Sequence, residues 1–243
     1  MEHYLYIKSR ARRPMIRSLL ISFVLMGMGG MVLIWSFWPI VSFHFFEGAL
    51  LAVTSPLADT YASSPLPPAG TVYASDKQAP GNLQSLDYTN ANVWFPLQPQ
   101  KKVSAKVTAY TLSIPKLGIK DAYVVIGGDD LNHSLVHYGG TALPGENGNG
   151  VIFGHSVLPQ FFNQKNYKTI FSTIPTLEIG DSIYINYDSV TYQYKVERLT
   201  VHEPDDLSVL EQQYDDSYIT LVTCVPPGTF WQRLNVRARL FKI

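Results

Sequence analysis

An uncharged, apolar stretch near the N-terminus constrains this chain more than any other feature of its sequence. Between Leu19 and Phe43 there is no charged side chain, and serines are the only polar interruptions. The segment Leu19–Trp38 alone would form a helix about 30 Å long, which matches the hydrocarbon thickness of a bilayer. The run is too long for the apolar part of a cleaved signal peptide, which spans about 7–15 residues. We therefore expect one uncleaved transmembrane helix within residues 19–43, ending near Pro39.

Basic residues before this helix predict its orientation. The first 17 residues contain one acidic side chain, Glu2, and five basic ones: Lys8, Arg10, Arg12, Arg13 and Arg17. Positively charged flanks stay in the cytoplasm, so residues 1–18 are expected inside the cell and everything after the helix outside. Because no second apolar run of spanning length follows, we expect a single-pass protein of the cell membrane with an extracellular body.

Residues 44–105 are predicted to be an extracellular tether. Seven prolines fall between residues 48 and 105, and no helical or strand period is sustained there. Within this tether, the segment Val93-Trp94-Phe95-Pro96-Leu97 is too apolar for a free linker. We expect it to dock on the folded domain, and the alternative is that it acts as a lid over a groove.

Residues 106–243 are predicted to form an all-β domain. The segments Ser182–Tyr187 and Val190–Glu197 alternate apolar and polar residues and predict a hairpin of half-buried strands. Seven or eight short strands in about 135 residues fit a barrel or a sandwich. Further strands are predicted at Thr108–Ile114, Ala122–Ile126, Gly150–Phe153, Tyr218–Cys224 and around Leu234–Leu240, with short helices around Asp130–Leu135, Tyr167–Ser172 and Asp206–Gln212.

Composition excludes several classes of protein. Only 16% of residues are charged and 46% are hydrophobic, which argues against a disordered chain and a charge-rich coiled coil. The folded part shows no basic patch of the kind that binds nucleic acid. A single cysteine, Cys224, rules out an intrachain disulfide and paired-cysteine metal motifs.

Cys224 is the candidate nucleophile. It follows the apolar strand Ile219–Thr223 and precedes a Pro-Pro-Gly loop, and strand ends beside loops often display active-site residues. The alternative is that Cys224 is a small buried hydrophobic residue. A cysteine nucleophile needs a base or an electrostatic partner, because its ordinary pKa leaves little thiolate at neutral pH.

His155 is the best-placed candidate base. It ends the predicted strand Val151–Gly154 and follows a turn-rich segment. His133, His137 and His202 lie in polar segments and are expected at the surface, and their spacing does not define a metal site.

These residues resemble the sortases, the membrane-anchored transpeptidases of bacterial cell surfaces. Thr220-Leu221-Val222-Thr223-Cys224 matches the TLxTC signature of that family, and Val151–His155 is similar to the strand that ends in its catalytic histidine. Arg233, nine residues after the cysteine, resembles the arginine that opens the last strand; Arg237 and Arg239 share its strand face and are the rival arginines. The resemblance covers roughly residues 108–243 and implies a closed β-barrel.

The resemblance implies a chemistry and a set of partners. Cys224 would attack the Thr–Gly carbonyl of an LPxTG-like sorting signal on a secreted protein, Arg233 would stabilise the oxyanion, and His155 would act as acid and base. The acceptor would be an amine, such as a peptidoglycan precursor. Val222, Thr223, Val225 and Pro226 are expected to contribute to substrate binding, with Thr223 bracing the site through its hydroxyl.

The same resemblance implies no required cofactor and no bound metal. Calcium stimulates some sortases through acidic loop residues, and Asp129 and Asp130 are the visible candidates here, although adjacent aspartates more often form a solvated turn.

Three alternative functions remain open at this point. A pilin-polymerising sortase usually has a C-terminal membrane segment and an acidic-Pro-aromatic lid motif. This sequence ends at Ile243 and Val93–Pro96 does not fit that motif, so protein anchoring is favoured. A thiol peptidase would share Cys224 and His155 but transfer its acyl group to water. A non-catalytic barrel that binds surface ligands would not need Cys224 or Arg233.

Overall fold

The computed structural model describes residues 14–43, 45, 87–95, 98, 100–101 and 107–241. The predicted basic tail as far as residue 13 and most of the predicted tether lie outside these residues. Within them the chain forms one long helix, α1 (Pro14–Ser42), and eight strands. The strands are β1 (Ala109–Ile114), β2 (Ile119–Ile126), β3 (Leu135–His137), β4 (Gly148–Phe153), β5 (Ser182–Tyr187), β6 (Val190–His202), β7 (Ser217–Val225) and β8 (Gln232–Leu240).

Helix α1 contains the predicted membrane segment. Its portion Leu19–Trp38 has a mean hydropathy of 2.1, and none of its most apolar part is buried in the protein. This portion is long and apolar enough to cross a membrane and fits an anchor. The helix continues past Pro39 to Ser42, whereas the sequence predicted an end near Pro39. The backbone can remain helical at a proline, although the ring removes one amide donor.

The eight strands close into a barrel, which confirms the predicted all-β fold. Around the barrel the order is β1-β2-β3-β4-β7-β8-β6-β5, with β5 pairing back to β1. Two pairs are parallel, β2 with β3 and β4 with β7, and the others are antiparallel. Because β4 and β7 run in the same direction side by side, the residues that follow them emerge at the same end of the barrel.

Two apolar clusters hold this fold together. The interior of the barrel is filled by branched and aromatic side chains such as Leu112, Val124 and Leu221. A second cluster lies outside the sheet, where Trp94 and Phe95 pack against residues of β3, β4 and β7. All residues of β4 and β7 are therefore buried, which explains why the sequence of β7 does not alternate between apolar and polar residues.

His137 differs from its predicted position at the surface. It lies in β3 and is 1% exposed, because β3 is paired between β2 and β4. Its Nδ1 contacts the Tyr110 hydroxyl at 2.8 Å and its Nε2 contacts Thr141 Oγ1 at 3.1 Å. Since Thr141 Oγ1 donates to the Tyr138 carbonyl, the consistent arrangement is a neutral imidazole with the proton on Nε2. Burial lowers the pKa of His137 to about 4.

The other two histidines of polar segments are more accessible. The side chain of His133 is 86% exposed and contacts Asp130. His202 is partly buried, and its Nδ1 lies 2.5 Å from Asp206 Oδ2.

The three short helices predicted from the sequence do not form over their predicted ranges. Asp130–Leu135 is a turn that leads into β3, Tyr167–Ser172 is a series of turns, and Asp206–Gln212 contains only the 3-10 turn Ser208–Leu210. In the last case, the Asp206 carboxylate accepts the Ser208 amide hydrogen at the start of the 3-10 turn.

Candidate active site

Strands β7 and β8 bring Cys224 and Arg233 together. The two residues are directly opposite each other in the antiparallel ladder, so their side chains lie on the same face of the sheet. Arg233 Nη1 lies 3.4 Å from Cys224 Sγ. The side chains are nearly fully buried, with 2% of Cys224 and 3% of Arg233 exposed.

His155 reaches the same end of the barrel from β4. The ladder between β4 and β7 ends with the pair Phe153 and Val222, and His155 follows two residues after Phe153. Between them, Gly154 has no room for a side chain, because an added Cβ would lie 2.4 Å from Phe171 and 2.7 Å from Leu135. The glycine therefore allows the strand end that carries His155 to pack tightly on the barrel.

Trp94 lies against both Arg233 and His155. Its ring is 4.8 Å from Arg233 Cζ, within the range of a cation–π contact, and 6.1 Å from the imidazole ring of His155. The indole N–H donates to the Tyr88 carbonyl at 2.8 Å, and the Tyr88 ring stacks on Phe230 at 4.4 Å. The segment Asp87–Phe95 thus covers the cluster of Cys224, His155 and Arg233; we call this segment the cover.

Backbone hydrogen bonds fix the cover to the barrel. The Ala91 amide donates to the Asp129 carbonyl at 2.8 Å, and the Leu131 amide donates to the Thr89 carbonyl at 2.9 Å. Trp94 and Phe95 are 2% and 1% exposed. The described part of the apolar segment, residues 93–95, is therefore docked, and Trp94 lies against Arg233 and His155.

Burial sets the protonation of the cysteine and the histidine. It raises the pKa of Cys224 to about 11, although the charge of Arg233 acts in the opposite direction. It lowers the pKa of His155, against the charge of Asp87. Under the cover, the pair is therefore a neutral thiol and a neutral imidazole at neutral pH.

Two buried polar atoms of this cluster make no hydrogen bond within the described residues. Among the residues that the structure describes, His155 Nε2 and Arg233 Nε have no hydrogen-bond partner. Buried polar groups are normally satisfied, and exceptions are common at functional sites. A thiol beside a guanidinium, with an imidazole at the same end of the barrel, offers groups that cysteine-dependent acyl transfer can use.

The predicted substrate-binding residues lie beneath the site rather than at its surface. Val222, Thr223, Val225 and Pro226 are all buried in this arrangement. Thr223 Oγ1 donates to the Gly154 carbonyl at 2.8 Å and so links the strand of the cysteine to that of the histidine.

No group of three metal-binding side chains occurs in the described part of the chain. Of the two aspartates considered for calcium, Asp130 accepts a hydrogen bond from the Asn132 amide and contacts His133.

Sequence reasoning did not identify the contacts of Trp94, Tyr88 or Ser156. The apolar segment around Trp94 was a signal for docking, but its partners are far away in sequence. Ser156 gave no signal beyond its position after His155.

Comparison with known proteins identifies the family. The sortase domain family matches residues 112–241, which is more than half of the chain. Sortase D of Bacillus subtilis (strain 168) is 28% identical over 117 residues, covering 47% of this chain and 53% of that protein. The match thus spans about half the length of this curated relative.

Solved sortase structures are also similar. A Clostridium perfringens sortase D5 transpeptidase has 31% identity and a TM-score of 0.47, covering 56% of this chain and 79% of that one. Sortase A of Corynebacterium diphtheriae has 32% identity and a TM-score of 0.49, covering 58% and 64%. On the family match, the chain belongs to the sortase family, whose members are cysteine transpeptidases.

Proposed function

We propose that this protein is a sortase-type transpeptidase that uses Cys224 as nucleophile, Arg233 as oxyanion donor and His155 as acid and base. Its substrate is a secreted protein with an LPxTG-like sorting signal, and its acceptor is an amine at the cell surface, such as a peptidoglycan precursor. One observation carries this proposal: Arg233 Nη1 lies 3.4 Å from Cys224 Sγ in a buried cluster that Trp94 shares with His155.

The first half of the reaction forms a thioester. The proton of the Cys224 thiol passes to His155, and the thiolate attacks the carbonyl carbon of the Thr–Gly bond. Arg233 donates hydrogen bonds to the oxyanion that develops, which its unpartnered Nε supports. The imidazolium of His155 then protonates the leaving amine, and the Cys224 thioester remains.

The second half transfers the acyl group. The acceptor amine attacks the thioester carbonyl and loses a proton to neutral His155. Collapse of the tetrahedral intermediate releases the Cys224 thiolate and a new amide. The resulting thiolate and imidazolium return to the neutral pair by proton transfer, so the enzyme begins the next cycle unchanged.

The apolar helix and the basic residues before it support a location for the protein. We propose that α1 spans the cell membrane once with its N-terminus in the cytoplasm. The barrel then works outside the cell, where secreted substrates and surface amines meet it.

Substrate entry requires the cover to move. Cys224 is 2% exposed beneath Trp94, so a peptide carbonyl cannot reach the sulfur in the arrangement described above. We propose that the cover is displaced when the sorting signal binds, which rehydrates Cys224 and His155 and moves both pKa values back toward their ordinary ranges.

The test uses the full chain in detergent or vesicles with a panel of LPxTG-like peptides, with and without triglycine. Mass spectrometry should detect a thioacyl adduct on Cys224 and its conversion into the triglycine-ligated peptide. Cys224→Ala should abolish both products. Arg233→Lys should lower turnover strongly, whereas the matched control Arg237→Lys, on the partly exposed part of the same strand, should not.

Two results would contradict the proposal. Hydrolysis that no amine alters would identify a thiol peptidase instead. Absence of any adduct across the panel, with the fold intact, would favour a barrel that binds ligands without catalysis.

A further inference from the structure

Two side-chain hydroxyls connect the strand ends that carry Cys224 and His155. Beyond the last ladder pair of β4 and β7, Thr223 Oγ1 donates to the Gly154 carbonyl at 2.8 Å. In the opposite direction, Ser156 Oγ donates to the carbonyl of Cys224 itself at 2.6 Å. Thr223, which precedes the cysteine, thus binds the backbone of Gly154. Ser156, which follows the histidine, binds the backbone of Cys224.

The segment around His155 is also held from its other side. The His155 carbonyl accepts a hydrogen bond from the Phe171 amide at 3.0 Å. The Val157 amide donates to Ser172 Oγ at 2.9 Å. These two bonds fix the segment to the loop before β5, whereas the bond from Ser156 fixes it to the nucleophile.

We propose that Ser156 is a positioning residue that sets the separation of the His155 imidazole and the Cys224 sulfur. Cys224 is fixed by its ladder with β8, but His155 lies two residues past the last pair of β4 and β7, so no ladder pairing fixes it relative to the cysteine. Proton transfer between them depends steeply on their distance and orientation, and small misplacements can lower a rate by one to two orders of magnitude. The hydroxyl of Ser156 removes this freedom by tying the cysteine peptide to the residue that follows the histidine.

This inference rests on the proposed function, since it assigns Ser156 a part in that reaction. For transpeptidation by the full chain, Ser156→Ala should lower kcat about tenfold and leave KM within about twofold. Ser156→Thr retains a hydroxyl on the same atom and should restore most of kcat. The matched control is Ser172→Ala, which loses a bond of the same segment that does not reach Cys224; its kcat should stay within about twofold of the wild type.

A second measurement needs no peptide substrate. The rate at which iodoacetamide alkylates Cys224 at pH 7 is measured in four proteins: the wild type, His155→Asn, Ser156→Ala and the double variant. The effect of His155→Asn is then compared with and without the Ser156 hydroxyl. If Ser156 couples the two residues, the substitution at His155 should slow alkylation several-fold in the wild type and less than twofold without the hydroxyl. Circular dichroism and thermal unfolding show whether each variant remains folded.

The outcomes separate the two proposals. If the wild type forms no thioacyl adduct, the proposed function fails, and the alkylation comparison alone decides the role of Ser156. An equal effect of His155→Asn in both backgrounds, or no effect in either, overturns the role of Ser156. It is also overturned if Ser172→Ala lowers kcat as much as Ser156→Ala, or if Ser156→Thr restores nothing.

Discussion

Arg233 faces Cys224 directly across the β7–β8 ladder, and its Nη1 approaches the sulfur to 3.4 Å. Paired positions of an antiparallel ladder share one face of the sheet, so the contact follows from strand register rather than from a flexible loop. A buried guanidinium at this distance partly opposes the effect of burial on the thiol. The barrel therefore supplies a rigid pair that needs only a proton acceptor, and His155 is carried to the same end by β4.

Arg233→Lys should reduce turnover by about 10²-fold or more, because lysine lacks the planar fork that donates two hydrogen bonds to an oxyanion. Steady-state transpeptidation by the full chain measures this effect. A lysine variant with nearly wild-type kcat would show that Arg233 acts only through its positive charge and not through paired hydrogen bonds.

Trp94→Ala should make Cys224 more accessible. The indole covers the cluster and is 2% exposed, so its removal should raise the rate of alkylation by iodoacetamide about tenfold or more. Trp231→Ala is the matched control, since Trp231 is 58% exposed on the neighbouring loop. Equal alkylation rates for the wild type and Trp94→Ala would mean that the cover does not limit access to the sulfur.

The pH dependence of alkylation should also change in Trp94→Ala. In the wild type, burial raises the pKa of Cys224 to about 11, so the rate should still be rising between pH 9 and 11. Opening the site to water removes part of the effect of burial. The midpoint of the curve of rate against pH should then move toward the ordinary pKa of a cysteine, near 8.5. The measurement is the pseudo-first-order rate from pH 6 to 11. A midpoint that is the same in both proteins would contradict burial as the cause.

Gly154→Ala should displace the strand end that carries His155. The added methyl would lie 2.4 Å from Phe171 and 2.7 Å from Leu135, and these buried side chains have little room to move. Overpacking of this kind lowers the free energy of unfolding by about 1–3 kcal/mol. Urea unfolding measures the loss, and a fully stable variant would mean that the two side chains can repack.

The sequence predicted strands well where alternation was strong. Strand β5 begins and ends at Ser182 and Tyr187 as predicted, because one of its faces is buried and the other is not. Strand β3 was missed because it has only three residues, all buried, and three residues show no period. Strand β6 continues past its predicted end at Glu197. An irregularity between Val196 and Arg198 shifts its register against β8, and this shift interrupts the alternation on which the prediction depended.

The site was less accessible to sequence reasoning than the fold. The motif around Cys224 and the position of Arg233 named residues that the ladder brings together. The docking of Trp94 was predictable from its apolar neighbours, but its contacts with Arg233 and His155 were not, because these partners are far apart in the chain. His137 was placed wrongly because the polarity of its neighbours gave no indication that β3 is buried between two strands.

The buried His137 should make the fold sensitive to acid. Its pKa is lowered to about 4 in the folded protein, from an ordinary value near 6.5. Between these values the unfolded chain binds the proton and the folded chain does not, so stability rises with pH through this window and is lost as pH falls. This difference between the folded and unfolded pKa values lowers the free energy of unfolding by about 3 kcal/mol from pH 7 to pH 4. His155 contributes in the same direction, since burial lowers its pKa too.

Urea unfolding of the full chain at pH 4, 5, 6 and 7 measures this dependence. His137→Gln keeps a neutral polar side chain and should flatten the slope between pH 4 and pH 6.5, although its stability at pH 7 should be lower. His133→Gln is the control, because the side chain of His133 is 86% exposed. A slope that keeps its full size in His137→Gln would place the acid sensitivity in other groups, whereas a reduced slope would show that the burial of a neutral His137 causes part of it.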